Sequence, residues 1–244
     1  MVQVALDPEI ESKEIRSQLA EYNIQESSQA SWILTRSKED NLTVVDVDGR
    51  RLEIDFDRQV ADYKRTHRGS GEPLAKALGF KKDVRNVVDL TAGLGIDAVF
   101  LAQIGFRVTS LERNPLLIFL LHAAQKKTQR PEIKNIKWIY SDAKSFLQNY
   151  QLPARTSCYF DPMYPEKKKA ALPRQEMVVF RQMVGADVDA RDTLRVALEK
   201  EFTRTVVKRP LKGEVLVDKP NFQLTSKLIR YDVYLPHMSQ EVME

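Results

Sequence analysis

From Pro73 onward, short β-rich runs alternate with longer helical patterns, and this alternation restricts the possible fold more than any other feature. Runs typical of strands occupy residues 87–90, 107–112, 136–140, 157–161 and 205–208. Helical patterns lie at 96–104, 175–184 and 192–202, and one more begins at Pro115 with Asn114 as its N-cap. Strands that alternate with helices form a parallel, doubly wound sheet, so we predict an α/β fold.

The two ends of the chain depart from this alternation. Two β-like runs in the tail, 214–217 and 228–235, have no helix between them and predict that the sheet ends in an antiparallel hairpin. Near the amino terminus, a weakly amphipathic helix over 8–22 precedes two β-rich runs, 42–47 and 51–56, that flank Asp48-Gly49, a strong hairpin signal. We therefore predict a small α+β unit over residues 1–60 and a larger unit over 61–244, with the boundary in 57–70.

Composition excludes several classes of protein. The chain is 43% hydrophobic and 30% charged, which is an ordinary globular balance. Its apolar stretches are far shorter than the ~20 residues that span a bilayer, and its first residues lack an export signal, so we expect a cytoplasmic protein. A single cysteine, Cys158, and three scattered histidines offer neither a disulfide nor a zinc-ligand spacing, so we expect no metal.

The formal charge of +4 is small, so the placement of the basic residues matters more than their number. Positive charge is concentrated at 63–68, 166–169 and 208–212. Such clusters attract phosphates in a non-specific, salt-sensitive way, although a solvated protein face has the same composition. The candidate nucleic-acid contacts are Arg65, Arg68, Lys167, Lys169, Lys208 and Arg209.

Ligands of doubly wound sheets bind beyond the carboxyl ends of the strands, and a glycine-containing turn follows the first strand. Gly93 and Gly95 allow a tight turn and a close approach to a ligand, and the next helix directs free N–H groups towards it. This pattern alone fits a dinucleotide site equally well. Asp89, four residues before Gly93, favours a cationic amino group over a phosphate.

Glu112 ends the second strand, 17 residues after Gly95 (112 − 95). An acidic side chain at this place can accept hydrogen bonds from both hydroxyls of a ribose. It indicates a cofactor that contains adenosine, without choosing between NAD and S-adenosylmethionine. The alternative is a surface ion pair with Arg113.

The fourth strand runs into the sequence Tyr159-Phe-Asp-Pro-Met-Tyr-Pro165. Its prolines make a stiff loop that presents the carboxylate of Asp161, backbone carbonyls and the ring of Tyr164. These groups suit a planar ligand that bears an NH₂: the oxygens accept its hydrogens and the tyrosine stacks on its face. An ordinary proline turn is the alternative.

Asp161-Pro-Met-Tyr resembles the D/N-P-P-Y/F signature of amino-group methyltransferases, with Met163 in place of the second proline. More closely, the chain resembles the ribosomal RNA small subunit methyltransferase J family, which methylates the N2 amine of a guanosine in 16S rRNA. The matching stretches are 71–79, 89–95, 111–115, 159–165, 206–210 and 230–234. They span residues 61–235 in the family's order, whereas the first sixty residues match poorly.

The resemblance implies a Rossmann-like class I methyltransferase sheet, S-adenosylmethionine as cofactor, and 16S rRNA or the 30S subunit as partner. It implies that Asp161, Pro162 and Tyr164 carry the chemistry. It also implies cofactor contacts, beside those expected from Asp89, Gly93 and Gly95, at Ile96, Asp97, Glu112, Arg113, Asp142, Ala143 and Asp161. The family commonly has an arginine where this chain has Ile96 and another where it has Ser70. An NAD(P)-dependent reductase, a non-catalytic RNA-binding assembly factor and any oligomeric state remain open.

Overall fold

Two β-sheets organise the protein in a computed structural model that describes residues 2–10, 12–66, 71–82, 84–164 and 175–236. The amino-terminal sheet has five strands in the order β2-β1-β3-β4-β5. Its elements are β1 (Val2–Leu6), α1 (Lys13–Glu21), β2 (Ile24–Glu26), β3 (Trp32–Arg36), β4 (Leu42–Asp46) and β5 (Arg51–Glu53). The predicted hairpin is confirmed, because β4 and β5 pair antiparallel around Gly49, whose φ is +76°.

Two amino-terminal predictions are wrong. The helix expected over 8–22 is divided into a 3-10 turn, Pro8–Ile10, and α1, which starts where the Ser12 hydroxyl accepts a hydrogen bond from the N–H of Ile15. The strand expected over 51–56 ends at Glu53. Helix α2 (Phe56–Thr66) begins at Phe56, which is the last residue of the predicted strand. The Asp55 carboxylate accepts a hydrogen bond from the N–H of Arg58 and so caps this helix.

The larger sheet has seven strands in the order β11-β12-β10-β9-β6-β7-β8, which confirms the α/β prediction. The strands from β10 to β8 in this order are parallel, and β12 and β11 add the predicted antiparallel edge. Its elements are α3 (Pro73–Ala77), β6 (Asn86–Asp89), α4 (Ile96–Gln103), β7 (Arg107–Glu112), α5 (Pro115–Lys127), α6 (Pro131–Lys134), β8 (Lys137–Tyr140), α7 (Ala143–Asn149), β9 (Thr156–Phe160), α8 (Gln175–Val184), α9 (Ala190–Leu198), β10 (Arg204–Pro210), β11 (Phe222–Thr225) and β12 (Ile229–Tyr234).

One tail prediction is wrong, because residues 214–217 form no strand and β11 lies further along the chain. Leu216 is buried in the core from an irregular loop, and its carbonyl accepts a hydrogen bond from the Arg191 guanidinium. Leu216 therefore faces the protein interior, and the half-buried Val217 packs against the same cluster, although neither joins the sheet. Among the helices of the described ranges, none is long and apolar enough to cross a membrane.

A continuous hydrophobic core joins the two sheets. Helix α5 lies between them and contacts β4 on one side and β7 and β8 on the other, which explains why Leu116 to Leu121 are all buried. The ring of Phe56 stacks on Trp138 with centroids 5.6 Å apart. The division predicted at residue 60 falls inside α2, which packs against α4, and it stays a prediction.

Candidate active site

The loops that follow β6, β7, β8 and β9 line a cleft at the carboxyl ends of these strands. It is an open cleft, with about 650 Å³ of space when the part that opens to solvent is counted. Its walls combine apolar residues, carboxylates and one arginine: Leu90, Thr91, Gly93, Leu111, Glu112, Arg113, Asn114, Ser141, Asp142, Ala143, Phe160, Asp161, Met163, Phe180, Val184, Asp187, Asp189 and Thr193.

Asp89 is not part of this lining, because its side chain is only 1% exposed. One of its carboxylate oxygens accepts a hydrogen bond from the Ser110 hydroxyl at 2.7 Å, and the other accepts one from the N–H of Thr91 at 3.0 Å. Burial raises the pKa of Asp89 to about 7. Because Asp89 is buried outside the cleft, it is not placed to contact a cationic amino group as the sequence predicts. Instead, its carboxylate anchors the glycine-containing turn through the N–H of Thr91.

Gly95 must be a glycine because of its conformation and its neighbours. Its φ is +77°, and a Cβ added to it would lie 3.0 Å from both Phe56 Cε1 and Trp138 Cη2. The residue ends the turn and begins α4, which brings the half-exposed Ile96 and the side chain of Asp97 to the same edge of the sheet.

Glu112 ends β7 and is 7% exposed, on the wall of the cleft. Its carboxylate accepts hydrogen bonds from the N–H of Gly93 at 3.1 Å and from the N–H of Asn114 at 2.8 Å, so its orientation is fixed. Burial raises the pKa of Glu112 to about 7. These bonds leave further lone pairs for the ribose hydroxyls that the sequence predicts.

Arg113 does not pair with Glu112, so the surface ion pair that was the alternative to a ribose contact is wrong. Its guanidinium pairs with Asp187 and, at 3.0 Å, with Asp189. A cofactor would therefore have to compete with these two carboxylates for the guanidinium of Arg113. Asp142 caps α7 by accepting the N–H groups of Lys144 and Ser145, and with Ala143 it lines the cleft, so the predicted cofactor contact of both residues stays a prediction.

The structure brings the loop of Asp161 next to the glycine-containing turn. Strands β6 and β9 are parallel neighbours, and the Asp161 N–H donates to the Thr91 hydroxyl at 2.7 Å. Pro162, the next residue, is buried. The Met163 N–H donates to the carboxylate of Asp187 at 2.6 Å. Sequence reasoning missed Asp187, because it lies 24 residues from Met163 in a loop with no recognisable motif.

Two predicted RNA contacts have other partners, which corrects those expectations. Arg209 is 7% exposed, and its guanidinium carbon lies 3.9 Å from the centroid of the Tyr164 ring. The ammonium of Lys208 pairs with Asp97 and Asp161 instead of pointing into solvent. The structure does not describe the other four candidates, which are the side chain of Arg65 and residues Arg68, Lys167 and Lys169.

The charge of the cleft discriminates between the two cofactors left open above. Its walls carry the carboxylates of Glu112, Asp142, Asp161, Asp187 and Asp189 against the single guanidinium of Arg113. A negative lining attracts a sulfonium and an amino group and repels the pyrophosphate of NAD(P). The oriented carboxylate of Glu112 and the apolar surfaces of Leu111, Phe160 and Phe180 fit an adenosine. The site therefore fits S-adenosylmethionine.

The parallel sheet, its antiparallel edge and this cleft define a class I methyltransferase that depends on S-adenosylmethionine. The family described as "Putative SAM-dependent methyltransferase" matches residues 17–236. A SAM-dependent methyltransferase of known structure from Neisseria gonorrhoeae is 26% identical and superposes with a TM-score of 0.73, covering 100% of this chain and 99% of that one.

Two curated relatives, both named "Ribosomal RNA small subunit methyltransferase J", define the family more narrowly. The protein from Bdellovibrio bacteriovorus is 47% identical over 194 residues, which are 79% of this chain and 77% of that protein. The protein from Thioalkalivibrio sulfidiphilus is 39% identical over 203 residues, or 80% and 79% of the two chains. This chain belongs to the ribosomal RNA small subunit methyltransferase J family, and S-adenosylmethionine is its cofactor. The match from residue 17 takes in most of the amino-terminal sheet, which the sequence motifs did not connect to the family.

Proposed function

We propose that this enzyme transfers the methyl group of S-adenosylmethionine to the exocyclic N2 amine of a guanosine in 16S rRNA. The names of its relatives support small-subunit rRNA as substrate, and the family resemblance supports the N2 amine. One observation carries the proposal: the carboxylate of Asp161 lies in the same cleft as Glu112, beside the glycine-containing turn. An rRNA substrate implies a reaction in the cytoplasm, on the 30S subunit or its rRNA.

The protein contributes mainly alignment and electrostatics to this reaction. S-adenosylmethionine supplies a methyl group that its sulfonium has already activated. The N2 lone pair of guanine is delocalised into the ring, so the amine is a poor nucleophile. Hydrogen bonds from N2–H to the Asp161 carboxylate and the Pro162 carbonyl return electron density to the nitrogen and offset its growing positive charge. The methylated amine is then acidic and loses a proton to Asp161 or to water.

The target base must be unpaired or flipped out, because base pairing hides this nitrogen in a helix. Tyr164 lies three residues after Asp161 and supplies a stacking surface. The guanidinium of Arg209 covers one face of its ring, and the half-buried ring also packs against a hydrophobic cluster, so a base can use only the part that stays exposed. Arg209 thereby supports Tyr164 as a cation–π partner from within the protein.

Two exposed lysines are better placed for phosphate contacts than Lys208 and Arg209: Lys212, at the end of the basic run 208–212, and Lys227, which the sequence did not single out. Lys212 lies two residues after the end of β10, and Lys227 lies two residues before the start of β12. The Leu211 N–H donates to the carbonyl of Leu228 at 3.0 Å and holds the two turns together at the edge of the site. Removing either lysine should weaken rRNA binding and lower the salt dependence by about one counterion.

Transfer of labelled methyl from S-adenosylmethionine to 30S subunits and to free 16S rRNA, followed by nucleoside identification, tests the proposal. We expect N2-methylguanosine from at least one of the two substrates. Label in another nucleoside, or in neither RNA, contradicts the proposal.

The same assay tests the role of Asp161. We expect Asp161→Ala and Asp161→Asn to lower kcat by about 100-fold or more, because they remove the acceptor of the N2–H groups, while cofactor affinity changes little. Asp192→Asn is the matched control, since this exposed carboxylate lies on α9. Near-normal transfer by Asp161→Ala would refute the assigned role.

A further inference from the structure

Lys208 bridges the loop that presents Asp161 and the helix that follows the glycine-containing turn. Its Nζ lies 2.8 Å from Asp161 Oδ2 and 2.9 Å from Asp97 Oδ2. The lysine side chain is 23% exposed, and the two carboxylates are 28% and 34% exposed. Strand register sets this arrangement, because Val207 of β10 pairs with Phe160 of β9 and so puts Lys208 level with Asp161.

The surroundings of Lys208 do not suit a phosphate contact. Its ammonium already faces two carboxylates, and their negative charges repel a phosphate. Burial opposes the charge on Lys208, but Asp97 and Asp161 outweigh it and raise the pKa of the ammonium well above its usual range. The lysine is therefore a permanent cation inside the site.

The geometry of Asp161 indicates what this cation does. The ion pair uses Oδ2, and among the residues that the structure describes Oδ1 has no hydrogen-bond partner. One oxygen is thus fixed to Lys208, while the other remains for a ligand. At the same time, the Tyr159 hydroxyl donates to Asp97 at 2.6 Å, which restrains the far end of the bridge.

We propose that Lys208 is a positioning residue for methyl transfer, which keeps the Asp161 carboxylate ionised and fixes its orientation towards the target amine. This inference rests on the proposed function of Asp161. Without the lysine, Asp161 would lose the cation that lowers its pKa, and burial and the neighbouring carboxylates, which raise that pKa, would act unopposed. A protonated Asp161 accepts the hydrogen bonds of the amine poorly.

Several other groups bear on the ionisation of Asp161. The charged groups that face it are Lys208 from β10, Asp97 from α4, Asp187 from the loop after α8 and Asp89 from β6. Tyr159, Tyr164 and Tyr231 are its phenolic neighbours. Burial raises the pKa of Asp161 and Lys208 lowers it, while the carboxylates raise it further. Loss of Lys208 therefore moves the pKa of Asp161 upward.

The test measures kcat and KM for methyl transfer between pH 5.5 and 9 in Lys208→Met, Lys208→Arg and the matched control Lys137→Met. Lys137 is an exposed lysine at the start of β8, on the opposite edge of the same sheet. We expect Lys208→Met to lower kcat about 100-fold at pH 7, with the acid limb of its pH profile displaced upward by about one unit and partial recovery at high pH. Lys208→Arg should recover much of the activity, and Lys137→Met should resemble the wild type. Lys208→Gln takes the place of the methionine variant if that variant does not fold.

Two results would overturn the inference. One is a Lys208→Met enzyme with wild-type kcat and pH profile, when Asp161→Ala is inactive. The other is an unchanged kcat with weaker rRNA binding and a salt dependence lowered by about one counterion, which identifies a phosphate contact.

Carbon-13 titration of the Asp161 carboxyl separates this inference from the proposed function, because it needs no substrate. A higher carboxyl pKa in Lys208→Met supports the positioning role even if the wild type does not methylate rRNA, and an unchanged pKa refutes it.

Discussion

At the scale of single residues, Glu112 shows how a buried acid becomes a recognition group. Two backbone N–H groups hold its carboxylate, yet burial is the larger influence and raises its pKa to about 7. Because this pKa lies above the usual 4.5, ionisation of Glu112 costs folding free energy as pH rises towards 7. Ribose hydroxyls donate more strongly to the ionised form than to the acid.

Cofactor affinity should therefore increase as pH rises from 6 to 8. We expect Glu112→Gln to bind S-adenosylmethionine about tenfold more weakly at pH 8, because it loses a charge-assisted hydrogen bond, and to show a smaller pH dependence. Calorimetric titration of both proteins at several pH values measures this. Glu199→Gln, a change at an exposed acid, is the control. If the wild type and Glu112→Gln show the same pH dependence of cofactor affinity, the ribose role of Glu112 is excluded. The pH dependence would then come from the ionisation of Asp89.

At the scale of elements, the turn between β6 and α4 depends on close packing around Gly95. Helix α2 and strand β8 both approach this glycine, through Phe56 and Trp138. Gly49 has nearly the same φ, +76°, but has no atom within 4 Å of an added Cβ. The two glycines thus separate the cost of backbone strain from the cost of crowding.

We expect Gly49→Ala to lower the free energy of unfolding by about 1–2 kcal/mol, because the left-handed backbone strains alanine. Gly95→Ala should add about 1–3 kcal/mol for overpacking and should also weaken cofactor binding. Urea denaturation of both variants measures the difference. Equal losses of stability would show that Phe56 and Trp138 move aside easily.

Elements with a strong local pattern could be predicted from the sequence. Helix α8 begins and ends where its periodicity indicates, and Asn114 caps α5 by accepting two N–H groups. Elements that depend on distant partners could not be predicted. Strand β2 has three residues and exists because it pairs with β1, and α2 begins where Phe56 meets Trp138.

The same distinction holds in the active site. Asp161 and Glu112 were predicted because strand ends converge at one edge of a parallel sheet. The partners of Lys208 and Arg209 could not be predicted, because the sequence pattern of a basic run is the same whether its side chains contact water, a carboxylate or an aromatic ring. Only the register of β10 against β9 decides this.

At the scale of the whole molecule, α5 makes the two sheets interdependent. It is buried between them, and the core continues from Val4 in β1 to Val233 in β12. The hydrogen bond between the Tyr22 hydroxyl and His122, at 2.6 Å, adds a polar link between the same units. Because the core cluster contains residues of both sheets, we expect the two sheets to unfold together in a single cooperative transition.

The two tryptophans report on the two sheets separately, since Trp32 lies in β3 and Trp138 in β8. Trp138 Nε1 has no hydrogen-bond partner among the described residues, so phenylalanine there loses no hydrogen bond. In the Trp138→Phe variant, the unfolding transition measured by Trp32 fluorescence should have the same denaturant midpoint as the transition measured by circular dichroism. In the Trp32→Phe variant, the same agreement is expected for the fluorescence of Trp138. Cofactor at about 100 times its Kd should stabilise both reporters by about 2.7 kcal/mol, although it binds only the larger sheet. If the cofactor moves the Trp138 midpoint and leaves that of Trp32 in place, residues 1–60 fold as an independent domain and the shared core does not couple the two sheets.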